Sequence, residues 1–522
     1  MQLKNKLGYF MKSTKIILLT IFLLGLGLRL FNVTDLPSIL NRDEAALAYN
    51  AFLIKETAQD EWQTKWPLTF KSFGDYKLPG YPYLLAALFT VLPANDFSTR
   101  LPSVLAGSLL IIVAFFFARD VLKTKKETAL LMSFLIAISP VFFFYSRIAF
   151  EANVALLLFV SALYFLLKEK ENFLLGSFCL FLAVLTYNTP LLLLPFLIPL
   201  LIYKIGWRNK KKWLKSIFFL ALILIWAILN FYSLAAQKSG ITIFNDSTTW
   251  ENFANYRASF NGIWQTILGN KYVFYSQLIW QNILQSFSLN FIVQNGGSHP
   301  WHALPDYGHL FYSSYFLAIF MLIDILGEIV IAIFDKSFKK KHLILLYLLL
   351  ASLVPSVITV DSPHATRSLF FFFILIAFAV LFVDKLIKIF AKQNKLILTL
   401  IIFLLCIESF FYYRQYFFKY PDQQEKILFS QFKDLIVESQ KKYSKEAIVV
   451  IDGGGYQYIL TAWYLKVPSQ QFFATMNYQQ ADQINFYYGE KLLNYHFIKN
   501  LEDRNAEEKV VLSEDLGLIK YD

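Results

Sequence analysis

The sequence of 522 residues is too apolar for a typical soluble protein. Hydrophobic residues make up 57% of it and charged residues only 16%, whereas soluble globular proteins have about 25% charged residues. The apolar residues form long runs separated by short basic clusters, which is typical of a chain that crosses a membrane many times. The net charge of +12 therefore does not indicate nucleic-acid binding. The two cysteines lie inside apolar runs and indicate no disulfide framework.

Eleven apolar runs predict an α-helical polytopic membrane protein with about eleven transmembrane helices. The first run follows a basic N-terminus and lacks the small-residue cleavage site of a signal peptide, so we expect an uncleaved first span. Some runs are shorter than the ~20 residues of a comfortable crossing. The runs lie at about residues 16–35, 97–119, 128–146, 150–167, 172–187, 189–205, 214–235, 309–334, 343–360, 369–390 and 396–413.

The basic clusters predict the orientation of the chain. If the N-terminus is cytoplasmic, all the strongly basic loops fall on the cytoplasmic side, as the positive-inside rule requires. These loops are 123–126, 168–170, 208–212, 336–341 and 385–395. We therefore expect a multi-pass protein of the plasma membrane with a cytoplasmic N-terminus.

The extracytoplasmic side then receives a first loop at about 36–96, a second long loop at about 236–308, the turn 361–367 and the C-terminal region. We predict a membrane domain over 1–413 and a small soluble α/β domain over 414–522. In that domain the patterns predict a helix at 431–442, a buried strand at 446–452, a turn at 453–455 and a helix at 456–465. In the first loop, 44–56 predicts an amphipathic helix at the membrane surface, and 84–92 predicts a second interfacial helix or a re-entrant piece.

Asp43 and Glu44 stand just after the first span, where a carboxylate pair is unusual. Ionisable groups at membrane depth cost about 2.5–3.5 kcal/mol each on insertion scales, so they are candidates for function. The alternative is that Asp43 is a helix N-cap, or an early acidic residue that the helix dipole favours.

Further polar residues fall on the same outer face: Asp75, Lys77, Arg100, Arg147, Glu151, His299, His302, His364 and Arg367. Carboxylates can take a proton or hold a metal, and cations beside them can bind a lipid phosphate. Each residue also has a structural alternative. Arg100 and Arg367 could be interfacial anchors, Arg147 and Glu151 an i,i+4 pair, Lys77 an ordinary loop charge, and His299 and His302 ordinary loop histidines.

No nucleotide cofactor is expected from this sequence. The run Gly453-Gly454-Gly455 lacks the spacing and the lysine of a phosphate-binding loop. The aromatic residues of 250–301 fit either a platform for a sugar or packing at the membrane interface.

Four motifs occur in a fixed order on the outer side. They are Asp43-Glu44, then Gly74-Asp75-Tyr76-Lys77-Leu78-Pro79-Gly80-Tyr81, then Ser98-Thr99-Arg100-Leu101-Pro102-Ser103, then Ser139-Pro140 followed by Ser146-Arg147 and Glu151. Together they resemble the protein O-mannosyltransferase-like branch of the GT-C membrane glycosyltransferases, which includes the bacterial aminoarabinose transferases that act on lipid A. The resemblance covers about 29–195 and, more weakly, 290–370.

The resemblance implies a transferase that takes a sugar from a polyprenyl-phosphate donor. It implies Asp43 as general base with Glu44 in support, Lys77 as a ligand of the donor phosphate, and Arg147 with Glu151 as the family's arginine and acidic pair. We add Arg100 and Arg367 as further candidates for binding the phosphate and Asp75 as a supporting residue. Some members hold a divalent metal in the outer cavity, for which Asp75, His302 and His299 are the candidate ligands.

The sequence departs from the family at two places. Leu192 or a neighbour stands where relatives often carry an arginine, and Trp301 stands where some relatives have an arginine before the histidine that aligns with His302. The expected partners are the lipid-linked sugar, a glycan, lipid or protein acceptor, and the bilayer, with no nucleic acid.

Two other functions remain open from the sequence. A flippase or transporter of lipid-linked sugar would place its charges near the membrane midplane and often shows paired repeats. A non-catalytic membrane assembly protein would use its C-terminal domain to bind a partner. The charges cluster at one face and no repeat is evident, which favours the transferase.

Overall fold

The computed structural model describes residues 2–73, 75–206, 209–231, 241–297, 299, 301–335, 339–482 and 486–521. In the N-terminal half of these residues, the helices are α1 (Gln2–Leu30), α2 (Arg42–Thr57), α3 (Gly80–Leu88), α4 (Asp96–Phe116), α5 (Lys126–Ile138), α6 (Pro140–Phe144), α7 (Glu151–Leu167), α8 (Phe173–Thr186), α9 (Asn188–Ile205) and α10 (Lys210–Leu229). A π-helical turn, Phe117–Val121, continues α4.

The later helices are α11 (Ser247–Ala258), α12 (Ile263–Ile267), α13 (Lys271–Ser286), α14 (Tyr312–Asp335), α15 (Lys340–Val357), α16 (Leu369–Ile389), α17 (Asn394–Phe418), α18 (Tyr420–Leu428), α19 (Phe432–Tyr443), α20 (Gln457–Tyr464) and α21 (Ser469–Thr475). The strands are β1 (Phe70–Ser72), β2 (Asp75–Lys77), β3 (Ile448–Ile451), β4 (Asn477–Tyr478), β5 (Gly489–Leu492), β6 (Tyr495–Ile498), β7 (Val510–Ser513) and β8 (Gly517–Lys520).

The predicted spans coincide with helices of this structure. Each of the eleven falls on one helix, or on the pair α5 and α6. Within the described ranges, seven helices are long and apolar enough to cross a membrane, and three shorter ones are also apolar. The multi-pass architecture is therefore confirmed, whereas the number eleven stays a prediction.

The break between α8 and α9 turns the chain without a long loop. Tyr187 has an extended backbone with φ −152° and ψ 153°, which ends α8. Pro190 lies in the first turn of α9, where its missing N–H breaks no helical hydrogen bond. The polar residues Thr186 and Asn188 therefore lie at the adjoining ends of two apolar helices.

The first outer loop contains the two predicted helices, α2 and α3, joined by the antiparallel hairpin of β1 and β2. The apolar pattern of α2 is explained by protein contacts, because it packs against α3 and against α20 of the C-terminal region. The hydroxyl of Tyr49 in α2 donates to the carbonyl of Val467 at 2.9 Å. Part of the apolar surface of this helix is therefore buried against the C-terminal region, and its predicted contact with the membrane surface stays a prediction.

The C-terminal region is α/β, as its sequence predicted. Its sheet has six strands in the order β4-β5-β6-β3-β7-β8, and the central β3 runs parallel to both of its neighbours. The predicted helix at 431–442, strand at 446–452 and helix at 456–465 correspond to α19, β3 and α20. The boundary near residue 413 stays a prediction, since α17 continues to Phe418.

Candidate functional site

The start of α2 fixes the direction of Asp43. The Oδ1 of Asn41 accepts hydrogen bonds from the backbone N–H groups of Asp43 (2.9 Å) and Glu44 (3.0 Å), while the Glu44 Oε2 accepts from the Asn41 N–H (3.0 Å). This reciprocal pair is a capping box. Asn41 is therefore the N-cap, and the alternative that Asp43 caps the helix is wrong. Asp43 lies in the first turn, where the helix dipole favours a carboxylate.

The carboxylate of Asp43 is paired with Lys77 at the end of β2. Lys77 donates from Nζ to the Asp43 Oδ1 at 2.8 Å, and 28% of the Asp43 side chain stays exposed. Burial raises the pKa of Asp43, but the positive charges of Lys77 and Arg42 outweigh burial and hold the pKa below its ordinary value. Asp43 is thus an ionised carboxylate with access to solvent, and it can accept a proton.

Glu44 forms a buried ion pair with Arg100. The two side chains are 1% and 0% exposed, and the Arg100 Nε lies 3.0 Å from the Glu44 Oε1. The other guanidinium donors bind Glu44 Oε2 and the carbonyl oxygens of Val33, Pro37 and Ile39. Since a guanidinium has five N–H donors, none is left for a phosphate. Glu44 and Arg100 fasten the start of α2 to α4, which positions Asp43.

The guanidinium of Arg147 is also fully buried, and it lies against the C-terminal end of α1. Its Nε donates to the Tyr416 hydroxyl at 2.9 Å. Its remaining donors bind the carbonyl oxygens of Leu28, Arg29, Phe31, Asn32 and Leu36. Carbonyls at a helix C-terminus lack intrahelical partners and carry the negative end of the helix dipole. Two of the three predicted phosphate-binding arginines, Arg100 and Arg147, are therefore saturated by backbone and side-chain acceptors in this structure.

A cavity of about 190 Å³ brings the other predicted residues together. Asp43, Lys77 and Arg367 all line it. Its further polar and aromatic lining consists of Tyr76, Phe150, Glu151, Thr186, Tyr187, Asn188, His302, His364 and Thr366. Asp75 belongs to β2, but its side chain lies outside the described part of the structure, so its predicted role stays a prediction.

Arg367 is held in place by the turn that precedes it. Its Nη1 donates to the Thr359 Oγ1 at 3.0 Å and to the carboxylate of Asp361. Burial raises the pKa of Asp361, but His299, Arg367 and His364 outweigh burial, so the pKa lies well below its ordinary value. Arg367 is 16% exposed and can face an anion in the cavity.

Three histidines cluster beside Arg367. The ring centroids of His299, His302 and His364 are 4.8 to 5.2 Å apart. Burial lowers the pKa of His302 and that of His364, the latter to about 3. The imidazoles of His302 and His364 are therefore neutral at pH 7. The sequence had identified the first two as candidate ligands and had only placed His364 on the outer face.

Several lining residues were missed as site residues from the sequence. Tyr187 and Asn188 lie at the break between α8 and α9, and polar residues between two apolar runs were the signal that could have found them. Arg42 was also missed. Its guanidinium lies over the rings of Tyr456 at 4.1 Å and Trp301 at 5.6 Å, which joins the first loop to two distant segments.

A larger cavity of about 560 Å³ lies between the start of α4 and α19. Its lining includes Asp96, Lys433 and Trp463, and no predicted site residue is among its lining residues. Asp96 is already paired there, since it accepts hydrogen bonds from Trp463 at 2.8 Å and Lys433 at 3.1 Å. We therefore place the candidate site in the smaller cavity, where carboxylates, cations and histidines converge.

Comparisons with known proteins agree with this architecture. Residues 77–230 match the family model of dolichyl-phosphate-mannose-protein mannosyltransferase. The archaeal oligosaccharyltransferase AglB from Archaeoglobus fulgidus, in complex with an inhibitory peptide and a dolichol-phosphate, is 14% identical with a TM-score of 0.50, over 87% of this chain and 64% of that chain. ArnT from Cupriavidus metallidurans bound to undecaprenyl phosphate is 12% identical with a TM-score of 0.48, over 88% of this chain and 85% of that chain. A search of curated proteins found no match.

The fold is similar to that of the oligosaccharyltransferase AglB. Over residues 77–230 the chain is similar to the dolichyl-phosphate-mannose-protein mannosyltransferases, so the predicted resemblance to the protein O-mannosyltransferase-like group is confirmed. The chain spans 64% of the length of AglB.

Proposed function

We propose that the protein is a membrane glycosyltransferase that moves a sugar from a polyprenyl-phosphate donor to an acceptor hydroxyl. The observation that carries the proposal is the cavity in which the ionised carboxylate of Asp43 lies beside Lys77, with Arg367 also among the lining residues. The description of the family model that matches residues 77–230 names a lipid-phosphate sugar, dolichyl-phosphate-mannose. AglB, which has a similar fold, is in complex with a dolichol-phosphate.

The acceptor hydroxyl attacks the anomeric carbon of the donor sugar. A new C–O bond forms as the bond from that carbon to the phosphate oxygen breaks, and the lipid phosphate leaves with the bonding electrons. Asp43 takes the proton of the acceptor hydroxyl, for which the two oxygens must approach to about 2.6–3.2 Å. A single displacement of this kind inverts the configuration of the anomeric carbon.

Lys77 and Arg367 stabilise the negative charge that develops on the leaving phosphate. Fixed cations in a site with little water contribute a few kcal/mol each, because they need no reorganisation during the reaction. Lys77 is held by Asp43 in the resting protein and changes partner when phosphate arrives. Arg100 and Arg147 are left out of this proposal, because their donors are occupied; they position the segment between α1 and α2 instead.

The membrane orientation is part of the proposal. A cytoplasmic N-terminus places the cavity, the first loop and the C-terminal region on the extracytoplasmic face of the plasma membrane. The lipid tail of the donor then lies among the apolar helices, and its head group reaches the cavity. A glycan, lipid or protein acceptor would enter from the water side.

The proposal is tested by following transfer from a panel of radiolabelled polyprenyl-phosphate sugars to extracted envelope acceptors, with purified protein in lipid vesicles. We expect a labelled product whose glycosidic bond is inverted relative to the donor. Loss of product in Asp43→Asn, but not in Asp35→Asn, would support the assigned base, since Asp35 is an exposed carboxylate in the segment between α1 and α2. Movement of lipid-linked sugar across the vesicle without product would contradict the proposal and favour the flippase.

A further inference from the structure

We propose that Arg42 and Lys499, with the tyrosine rings that they lie over, bind an acidic glycan whose hydroxyl is the acceptor of the proposed reaction. The binding surface is argued from the contacts of these side chains alone. Only the role of the glycan as acceptor rests on the proposed function.

Arg42 has a half-buried guanidinium that makes no hydrogen bond or ion pair with the residues that the structure describes. The guanidinium lies over two aromatic rings, that of Tyr456 at 4.1 Å and that of Trp301 at 5.6 Å. Arg100 and Arg147, in contrast, use their donors on acceptors of the protein. A guanidinium has five N–H donors in a planar fork that fits two oxygens of a carboxylate or phosphate. Arg42 can therefore bind an oxyanion without giving up a protein partner.

The turn at 452–456 brings the C-terminal region to Arg42. It follows β3, and the carboxylate of Asp452 accepts hydrogen bonds from the N–H groups of Gly455 at 2.6 Å and Gln457 at 2.7 Å. Gly455 has a φ of +72°, and a Cβ there would lie 2.1 Å from the ring of Tyr488, so this position requires glycine. In open α/β sheets, ligands bind at the carboxyl ends of the parallel strands. The turn places this edge of the C-terminal sheet beside α2.

The surface continues from Arg42 over two rings to a second cation. The ring centroids of Tyr456 and Tyr488 are 5.8 Å apart, and the Nζ of Lys499 lies 5.5 Å from the centroid of the Tyr488 ring. Lys499 directly follows β6 and is exposed, and it also has no ion pair or hydrogen bond within the described part of the chain. Asp482 is engaged by the hydroxyl of Tyr488, which donates to it at 2.8 Å. The two cations therefore flank a pair of aromatic rings and remain available to an anionic ligand.

This surface fits a sugar chain that carries carboxylate or phosphate groups. The C–H face of a sugar ring is apolar and packs on aromatic side chains, which commonly line binding sites. Charged oxygens of the same chain would form charge-assisted hydrogen bonds with the Arg42 fork and the Lys499 ammonium. A neutral glycan would leave both cations unpaired. The surface therefore discriminates between glycans by their charge.

The surface leads to the proposed base. Arg42 immediately precedes Asp43, and both charges act on the next ring: burial raises the pKa of Tyr456, the charge of Arg42 opposes this rise and the charge of Asp43 adds to it. Lys77 and Arg367 line the cavity of about 190 Å³, whereas Arg42 is not one of its lining residues. A sugar bound to Arg42 would thus present a hydroxyl to Asp43 from the side of the C-terminal region. Lys77 and Arg367 remain for the donor phosphate.

Binding is tested with the full-length protein in detergent, titrated by calorimetry with trigalacturonate, with its neutral methyl ester and with a glycerol phosphate trimer. We expect at least one acidic probe to bind about 10-fold or more tightly than the ester, and the tighter of the two identifies the anion. Arg42→Gln weakens this binding about 10-fold or more, because hydrogen bonds to charged groups are strong. Lys499→Ala, at an exposed side chain, weakens it about 2–5-fold and gives a second test where Arg42→Gln folds poorly.

The matched controls are Arg504→Gln and Lys520→Ala. Each removes a cation that also lies over a tyrosine of the C-terminal region, Tyr521 at 4.3 Å and Tyr443 at 5.4 Å. Unlike Arg42 and Lys499, these two cations donate to protein acceptors. Both controls retain the binding of the unaltered protein. Binding of neither acidic probe, equal affinity for the acidic probes and the ester, or equal affinity of all four variants would overturn the surface.

The assignment to the acceptor is tested with farnesyl phosphate as a probe of the donor site. We expect Lys77→Ala to weaken its binding and Arg42→Gln to leave its binding unchanged. Equal weakening by the two variants would assign Arg42 to the donor phosphate and overturn the proposal. Failure of the proposed function is distinguishable, since a protein that binds an acidic probe through Arg42 but forms no glycosyl product would retain the surface and lose the assigned activity.

Discussion

Glu61 predicts a pH dependence of stability that can be measured directly. It is 3% exposed and lies where the first outer loop meets the C-terminal region. Its carboxylate accepts hydrogen bonds from Asn50 at 3.1 Å, from Tyr458 at 2.9 Å and from Tyr478 at 3.2 Å. Burial raises its pKa from 4.5 to about 7 despite these hydrogen bonds.

The direction of the effect follows from proton binding. Between pH 4.5 and about 7 the native protein holds a proton on Glu61 that the unfolded chain has released. The contribution of this group is therefore fully present below 4.5 and is lost as the pH rises to about 7. At 1.36 kcal/mol for each unit of pKa, the full change is on the order of 3 kcal/mol.

The assay is urea unfolding of the purified protein at about pH 5 and about pH 8. We expect Glu61→Gln to lose this part of the pH dependence, because glutamine does not titrate. Glu56→Gln, an exposed residue of the same loop, retains it. An equal loss of free energy of unfolding by Glu61→Gln and the unaltered protein over that interval would show that Glu61 is not the titrating group.

Two further predictions concern the buried arginine and the cavity lysine. Arg147→Ala should lower the free energy of unfolding by several kcal/mol, because five carbonyl oxygens lose a donor and each buried unpaired group costs about 1–3 kcal/mol. Thermal unfolding measures this effect, with the exposed Arg414→Ala as the control. Equal midpoints of the two variants would contradict the role of Arg147 in holding the end of α1. Lys77→Ala should weaken donor binding at least about 10-fold, since hydrogen bonds to charged groups contribute about 1.5–3 kcal/mol. Lys77→Ala should also move the acid limb of the pH–rate profile to higher pH, because the charge of Lys77 lowers the pKa of Asp43. An unmoved acid limb would show that another group is the titrating base.

Patterns of hydropathy predicted most of the fold. The long apolar runs correspond to helices, since a membrane leaves the backbone few other ways to satisfy its hydrogen bonds. Local periodicity also predicted the strand that ends before Asp452 and the two helices that flank this strand. The count of spans could not be decided, because several helices are too short or too buried to be assigned by length alone.

The sequence predicted those site residues that can be recognised from the residue type and from the side of the membrane on which their loop lies. Asp43, Lys77 and Arg367 line one cavity, as their shared side of the membrane suggested. Arg100 and Arg147 had the same sequence character, but their guanidinium groups are saturated by side-chain acceptors and by carbonyl oxygens of the end of α1 and the segment that follows it. Hydrophobic periodicity contains no information on which carbonyls meet a distant arginine. For the same reason His364 could not be grouped with His299 before the fold brought the two loops together.

The role of Asp43 is tested most directly by single-turnover transfer with donor binding measured in parallel. We expect Asp43→Asn to slow transfer about 10²–10⁴-fold, the usual contribution of a general base. Donor affinity should be retained or increase, because Lys77 loses its competing carboxylate. Asp35→Asn should match the unaltered protein in both measurements. A near-normal rate in Asp43→Asn, with folding and donor binding intact, would contradict the assignment of Asp43 as the base.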